Sequence, residues 1–182
     1  MTDFDFEPIF RDANHRLSVA VRTSGQSVWA ADADGRRVDV LDLTVSYWTA
    51  PEDIADNLGT SRVLLRDRVY AVDGRRVCWA KSWLPAAVVE GTVIEQVNTG
   101  PGGTPARLAE LGCELVKFTE DVEFTEAVDV PAEVRDKLDV DDHTSAVRIV
   151  RWNATAEGRV VEATYMWMVA SAYRFRWSWT NA

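Results

Sequence analysis

The chain uses one local pattern twice: a proline-led helix followed by a hairpin. "PEDIADNL" (Pro51–Leu58) and "PAEVRDKL" (Pro131–Leu138) both begin on proline, carry acids early and end on leucine, 80 residues apart. Proline loses nothing at the first helical position, where its N–H would have no partner, and acids meet the positive end of the helix dipole. Each segment is followed by a turn between apolar runs, "DGRRV" from Asp73 and "EGRVV" from Glu157, matching at a shift of 84. Asp-Gly between apolar residues in rough alternation is a hairpin signal, and strands joined this way are antiparallel. Two such units predict a pseudo-symmetric α+β domain: a central antiparallel sheet, helices packed on one face, and a ligand cleft between the halves.

The remaining elements fit around these units. "PIFRDANHRLSVAVRTSG" predicts a helix over 10–24, closed by Gly25. "SVWAAD" and "RRVDVLDLTVSYW" read as strands separated by the turn Asp34-Gly35. The Gly/Pro-rich loop over 100–103 leads into a short helix over 104–111, and "ELVKFTEDVEFTEA" reads as a strand. At 182 residues and 47% hydrophobic content the chain can bury a core as one domain, 1–182, with 1–25 as an N-terminal extension and helix.

Composition narrows the function. The net charge is −9 and the only lysines are Lys81, Lys117 and Lys137. Binding nucleic acid needs a basic face to neutralise phosphates, so no direct nucleic-acid binding is expected of this chain. No run of about 18 apolar residues is present, so no membrane span is expected. The acidic start "MTDFDFEPIF" lacks the basic and apolar regions of a secretory signal. Two cysteines, Cys78 and Cys113, and two histidines, His15 and His143, are too few for a disulfide framework or a histidine metal centre. The expectation is a cytoplasmic protein without metal or cofactor. Cys78 lacks a visible activating group and reads as a buried thiol. Glu120, Asp121, Glu123 and Glu126 read as a solvated strand edge, and "GPGG", without the lysine of a phosphate-binding loop, as a flexible turn.

Candidate binding residues lie on the predicted strands. Arg66 and Arg68, two apart, share a face, and a pair of guanidinium forks suits a carboxylate or phosphate. Glu162 and Thr164 share a face in an otherwise apolar strand, where an unpartnered charge would be costly. Eight tryptophans are present, Trp29, Trp48, Trp79, Trp83, Trp152, Trp167, Trp177 and Trp179. Core packing explains most of them. Trp79, Trp83, Trp152 and Trp167 fall in the two equivalent hairpins, and with Lys81 and Tyr165 they are candidate walls of a pocket for an aromatic or cationic ligand.

The ordered set "APEDIADNLG", "VYAVDGRRVCWAKSWLP", "EGTVIEQVNTGPGGTPARLAELG", "VPAEVRDKL" and "RIVRWNATAEGRVVEATYMWM" resembles the UTRA domain. This is the effector-sensing domain of the HutC subfamily of GntR transcription regulators, with a chorismate-lyase-like fold. The resemblance runs from about Arg11 to Trp179. It implies a homodimer that binds a small molecule, acidic or aromatic, with contacts at Arg66, Arg68, Ser18 and Glu162. Departures at Ala80, at Pro105 and around Trp167 and Met168 point away from a phosphosugar. Family members carry a winged helix-turn-helix before this domain, so the chain is expected to be either a regulator from which that part was cut off or a free-standing effector domain; the acidic start at Met1 does not read as a linker and favours the second. The same fold is compatible with a small enzyme on an acidic or aromatic metabolite, with Arg66 and Arg68 holding substrate and Glu162 as acid or base. One question is left between the faces of a single strand: Trp79, Lys81 and Trp83 point one way, and Ala80, where the family has a ligand-contacting glutamate, points the other.

Overall fold

The computed structural model describes residues 6–12 and 32–178. Strand β1 (Ile9–Asp12) is followed by β2 (Val38–Thr49), α1 (Glu52–Leu58), β3 (Arg62–Val72), β4 (Arg75–Pro85) and the single turn α2 (Ala86–Val89). Then come α3 (Gly103–Glu110), β5 (Lys117–Thr125), α4 (Ala132–Leu138), β6 (Ala146–Ala154), β7 (Val160–Val169) and β8 (Tyr173–Arg176). The predicted strand in "SVWAAD", apart from Asp32, and most of the predicted helix over 10–24 lie outside the described residues. The beginning of that helix is replaced by β1, which pairs in parallel with β8, Ile9 opposite Tyr173. Ile9 and Arg11 are buried while Phe10 is exposed, the period-2 pattern of a strand.

The main sheet has six strands in the order β2-β3-β4-β7-β6-β5, every neighbouring pair antiparallel. Two β-α-β-β units, β2-α1-β3-β4 and β5-α4-β6-β7, therefore meet at β4 and β7. The shift of 84 maps Ala80, Lys81, Ser82 and Trp83 onto Thr164, Tyr165, Met166 and Trp167. In the sheet Ala80 pairs with Met166, Lys81 with Tyr165 and Ser82 with Thr164. Each residue thus faces a neighbour's counterpart, and the pseudo-two-fold axis passes through the Lys81–Tyr165 pair.

Local chemistry fixes the unit ends. Pro51 and Pro131 are the N-caps, one position before the first helical residue, and the helices close in the left-handed region at Gly59 and Asp139. At the β3–β4 turn both Asp73 and Gly74 have positive φ, 50° and 82°, as a type I′ hairpin requires.

Helices cover both faces of the sheet rather than one. On the back, α1 sets Ile54 and Leu58 against Val63, Leu65, Trp83 and Ala163. The second proline-led helix, α4, adds Val134 and Leu138 to a cluster holding Val69 and Trp79. On the front, α2 and α3 bury Leu64 and Leu84 beneath Val89, Ile94 and Leu108. Toward the other end Ile9 and Tyr173, from the β1–β8 pair, join Tyr70, Ile149, Met166 and Met168. The apolar content of the front is thus gathered into two blocks, and the strands between them carry polar side chains.

Candidate functional site

Residues opposite each other in an antiparallel sheet project from the same face, so register alone builds the middle of the front. Arg66 pairs with Ser82, Ser82 with Thr164, Thr164 with Arg151, and Arg151 with Glu120. This is one unbroken polar row across β3, β4, β7, β6 and β5. Arg68 lies two residues along β3 on the same face, and the Asn153–Glu162 pair flanks the row on the other side. Arg66, Ser82, Arg151, Asn153, Glu162 and Thr164 are all buried.

Hydrogen bonds tie much of the row together. Arg68 donates from Nε to the Tyr70 hydroxyl (2.7 Å), from Nη1 to the Arg66 carbonyl (3.2 Å) and from Nη2 to Ser82 Oγ (3.0 Å). Asn153 Nδ2 donates to Glu162 at 2.5 Å. Arg66 turns the other way: Nη1 donates to the carbonyls of Ile94 (2.6 Å) and Gln96 (2.7 Å), and Nη2 to that of Val97 (3.0 Å). Arg66 therefore clamps the segment after α2 onto the sheet. At the β5 end Arg11 donates to Glu120, while Arg151 approaches the same carboxylate only to 3.8 Å.

The electrostatics of this layer oppose those of the whole chain. Among the described residues four guanidiniums, Arg11, Arg66, Arg68 and Arg151, face two carboxylates, Glu120 and Glu162. Burial, with the neighbouring Arg68 charge, lowers the Arg66 pKa to about 10. For Arg68, burial works against the charged form, yet Tyr70 and Glu162 outweigh it and the pKa lies above the ordinary value. A buried layer with more positive than negative groups stabilises an anion brought into it, since the attraction is stronger away from water.

The residues expected to line one pocket divide between two faces. Arg66, Arg68 and Glu162 are on the front; Ser18 lies outside the described residues. Trp79, Lys81, Trp83, Trp152, Tyr165 and Trp167 are all on the back, under or beside the helices. Trp79 and Trp83 are core residues at 3% and 5% exposure, the first donating from Nε1 to Asp67 at 2.6 Å, the second edge-on to Tyr165. Lys81 sits 4.2 Å from the Trp79 ring centroid and 3.7 Å from Glu133 of α4. Tyr165 donates to Asp53 of α1, and burial plus this carboxylate raise its pKa to about 12. Trp152 packs against the α1 cluster, and Trp167 lines an open hollow of about 510 Å³ with Glu123, Phe124 and Arg148 at the β5 edge. Around Trp79 and Trp83 the back face is thus helix-covered structure, beside Trp167 it is open, and Ala80 belongs to the polar side of β4.

Residue reasoning missed Arg151, Asn153, Ser82 and Arg11 as members of the row, and assigned Glu120 to a solvated edge. Alternation in "RIVRWNA" already sets Ile149, Arg151 and Asn153 apart from Val150 and Trp152. The link from that face to Glu162 needed the hairpin register, which a bulge after Asn153 shifts. Among the described residues no group of three or more His, Cys, Asp or Glu is placed to hold a metal ion.

Comparison with known proteins agrees with this architecture. Residues 33–174 match the family model of the UTRA domain. Among solved structures, a candidate GntR-family transcriptional regulator superposes with a TM-score of 0.73 at 23% identity, over 85% of this chain and 64% of that one. PhnF from Mycobacterium smegmatis gives 0.76 at 21% identity over 96% of this chain and 73% of its own, and its effector domain alone gives 0.72 at 22% over 84% and 93%. The chain therefore spans less than two thirds of the first of these regulators, and at such identities the likeness is one of fold. No curated protein matches the chain.

Proposed function

The chain belongs to the UTRA domain family, and on that premise we propose that it is the effector-binding domain of a GntR-type regulator, or a free-standing relative, that senses a small organic acid or phosphate. The observation that carries this reading is the buried polar row, with its surplus of guanidiniums in a chain whose net charge is −9. A general affinity for anions is unexpected from so acidic a protein. Concentrating positive charge in one buried layer supports a specific anionic ligand.

The row also supports a mechanism. Arg66, Arg68 and Ser82 belong to the first β-α-β-β unit, and Thr164, Arg151, Glu162 and Glu120 to the second. A ligand touching both units binds best to one relative placement of them and shifts the population toward it. Because Arg66 fastens the 94–97 segment to the same face, a change in the row is transmitted to that loop. The output then passes to an attached DNA-reading domain or to a second copy in a homodimer. Among the described residues no helix is long and apolar enough to cross a membrane, in keeping with a cytoplasmic sensor.

The test is titration of the purified chain, followed by tryptophan fluorescence, with carboxylates, phosphates and uncharged analogues, and recovery of the ligand by mass spectrometry. Saturable binding of acids alone, with the acid recovered intact, is the expected result. Equal response to uncharged analogues overturns the anion assignment, and appearance of a product makes the chain an enzyme.

A further inference from the structure

The arginines of the front face are not equally occupied. Arg66 is spent on backbone carbonyls, Arg68 on Tyr70, Ser82 and the chain itself, and Arg11 on Glu120, with its Nε left over. Arg151 is 8% exposed, and its Nε and Nη1 have no hydrogen-bond partner among the described residues. Its distance to Glu120, 3.8 Å, is beyond hydrogen-bond reach. A buried guanidinium with unfilled donors is costly, and such groups are rare in folded proteins. Two residues along the same strand and on the same face, Asn153 is 2% exposed; donation to Glu162 fixes its amide, and Oδ1 is left without a partner. One strand therefore presents an unfilled cationic donor and an unfilled neutral acceptor about 6–7 Å apart along the chain.

We propose that Arg151 is the anchor for the acidic group of the effector and that Asn153 Oδ1 accepts a hydrogen bond from a hydroxyl or amino group of the same molecule. This rests on the effector-binding reading and narrows it. The ligand is an acid that also carries a donor a few bonds away, in the class of hydroxy acids and polyol phosphates. Arg66, one of the arginines the family resemblance brings forward, serves the loop instead.

Four probes separate the parts of the proposal: acetate and glycerate for a carboxylate without and with hydroxyls, inorganic phosphate and glycerol 3-phosphate for a phosphate. Thermal unfolding of the chain is followed with each. The expected result is a larger rise in Tm with the hydroxylated member of one pair, and which pair responds identifies the acid. Arg151→Met abolishes the ligand-induced rise. Arg151→Lys keeps the charge but not the fork, and weakens binding at least tenfold. Asn153→Leu removes the preference for the hydroxylated probes. A ligand-induced rise undiminished in Arg151→Met or Arg151→Lys overturns the proposal while leaving the effector reading intact. No rise with any probe in the wild-type chain sinks both.

Discussion

The hydroxyls of Ser82 and Thr164 lie 2.8 Å apart across the seam between the two pseudo-symmetric halves, both side chains fully out of water. Ser82 Oγ also accepts from Arg68, so its own proton is free for Thr164, and a continuous chain runs from Tyr70 through Arg68 and Ser82 to the second half. A double-mutant cycle of Ser82→Ala and Thr164→Val is expected to give a coupling of about 1 kcal/mol in urea unfolding. Additivity of the two substitutions would mean that the contact does not join the halves energetically.

Arg66 is expected to matter for order rather than for ligand recognition. Arg66→Met strands three carbonyls that now accept from one guanidinium, a loss of about 2–3 kcal/mol. Hydrogen exchange should rise selectively over 93–98. Unchanged exchange there, with loss of anion binding, would return Arg66 to the binding set.

The back-face tryptophans should report stability and not affinity. Trp83→Ala opens a cavity beneath α1 and is expected to cost about 3–5 kcal/mol. Trp83→Phe retains most of the packing and should leave the anion dissociation constant within about twofold, below 1 kcal/mol. A tenfold change in the dissociation constant would mean that this face contributes to the site.

Two phenols give the chain an alkaline limit. Tyr165 is raised to about 12 by burial and Asp53, and Tyr47 to about 12 by burial and Glu95. For each, the folded state holds its proton more tightly than the unfolded chain, whose phenols titrate near 10. The resulting stability is complete below about pH 10 and is lost as pH rises toward 12. Absorbance titration should show Tyr165 and Tyr47 titrating late, and Tyr165→Phe or Tyr47→Phe should each remove one late phenol. A Tyr165 that titrates near 10 would mean that its bond to Asp53 is not maintained.

Much of the scaffold was legible because its signals are local. The two proline-led helices, the Asp73-Gly74 turn and the strands on either side follow from residue chemistry within a few positions. The N-terminal strand β1 was not, because Ile9–Asp12 is a strand only by virtue of β8, more than 160 residues away. The candidate site was half legible for the same reason. Arg66, Arg68 and Glu162 announce themselves as charges in apolar strands, but Arg151 is equally charged and passed unnoticed. Which face of β6 meets which face of β7 depends on register across a bulge. Trp79 and Trp83 were ambiguous in the opposite sense: their bulk fits a ligand wall or a core equally well, and only the position of α1 and α4 makes them core.

The shared β-α-β-β plan would by itself offer a ligand two equivalent poses, related by half a turn about the axis through Lys81 and Tyr165. Arg68 and Arg151 preserve that equivalence, since they pair with Ala80 and Thr164, which the shift of 84 relates. Arg66 and Ser82 do not: their counterparts are Ile149 and Met166, both apolar and fully buried. Rotating a bound acid by half a turn would set against hydrocarbon whatever had faced these polar groups. The duplicated scaffold has in this way become a directional one, and it can tell the head of a molecule from its tail.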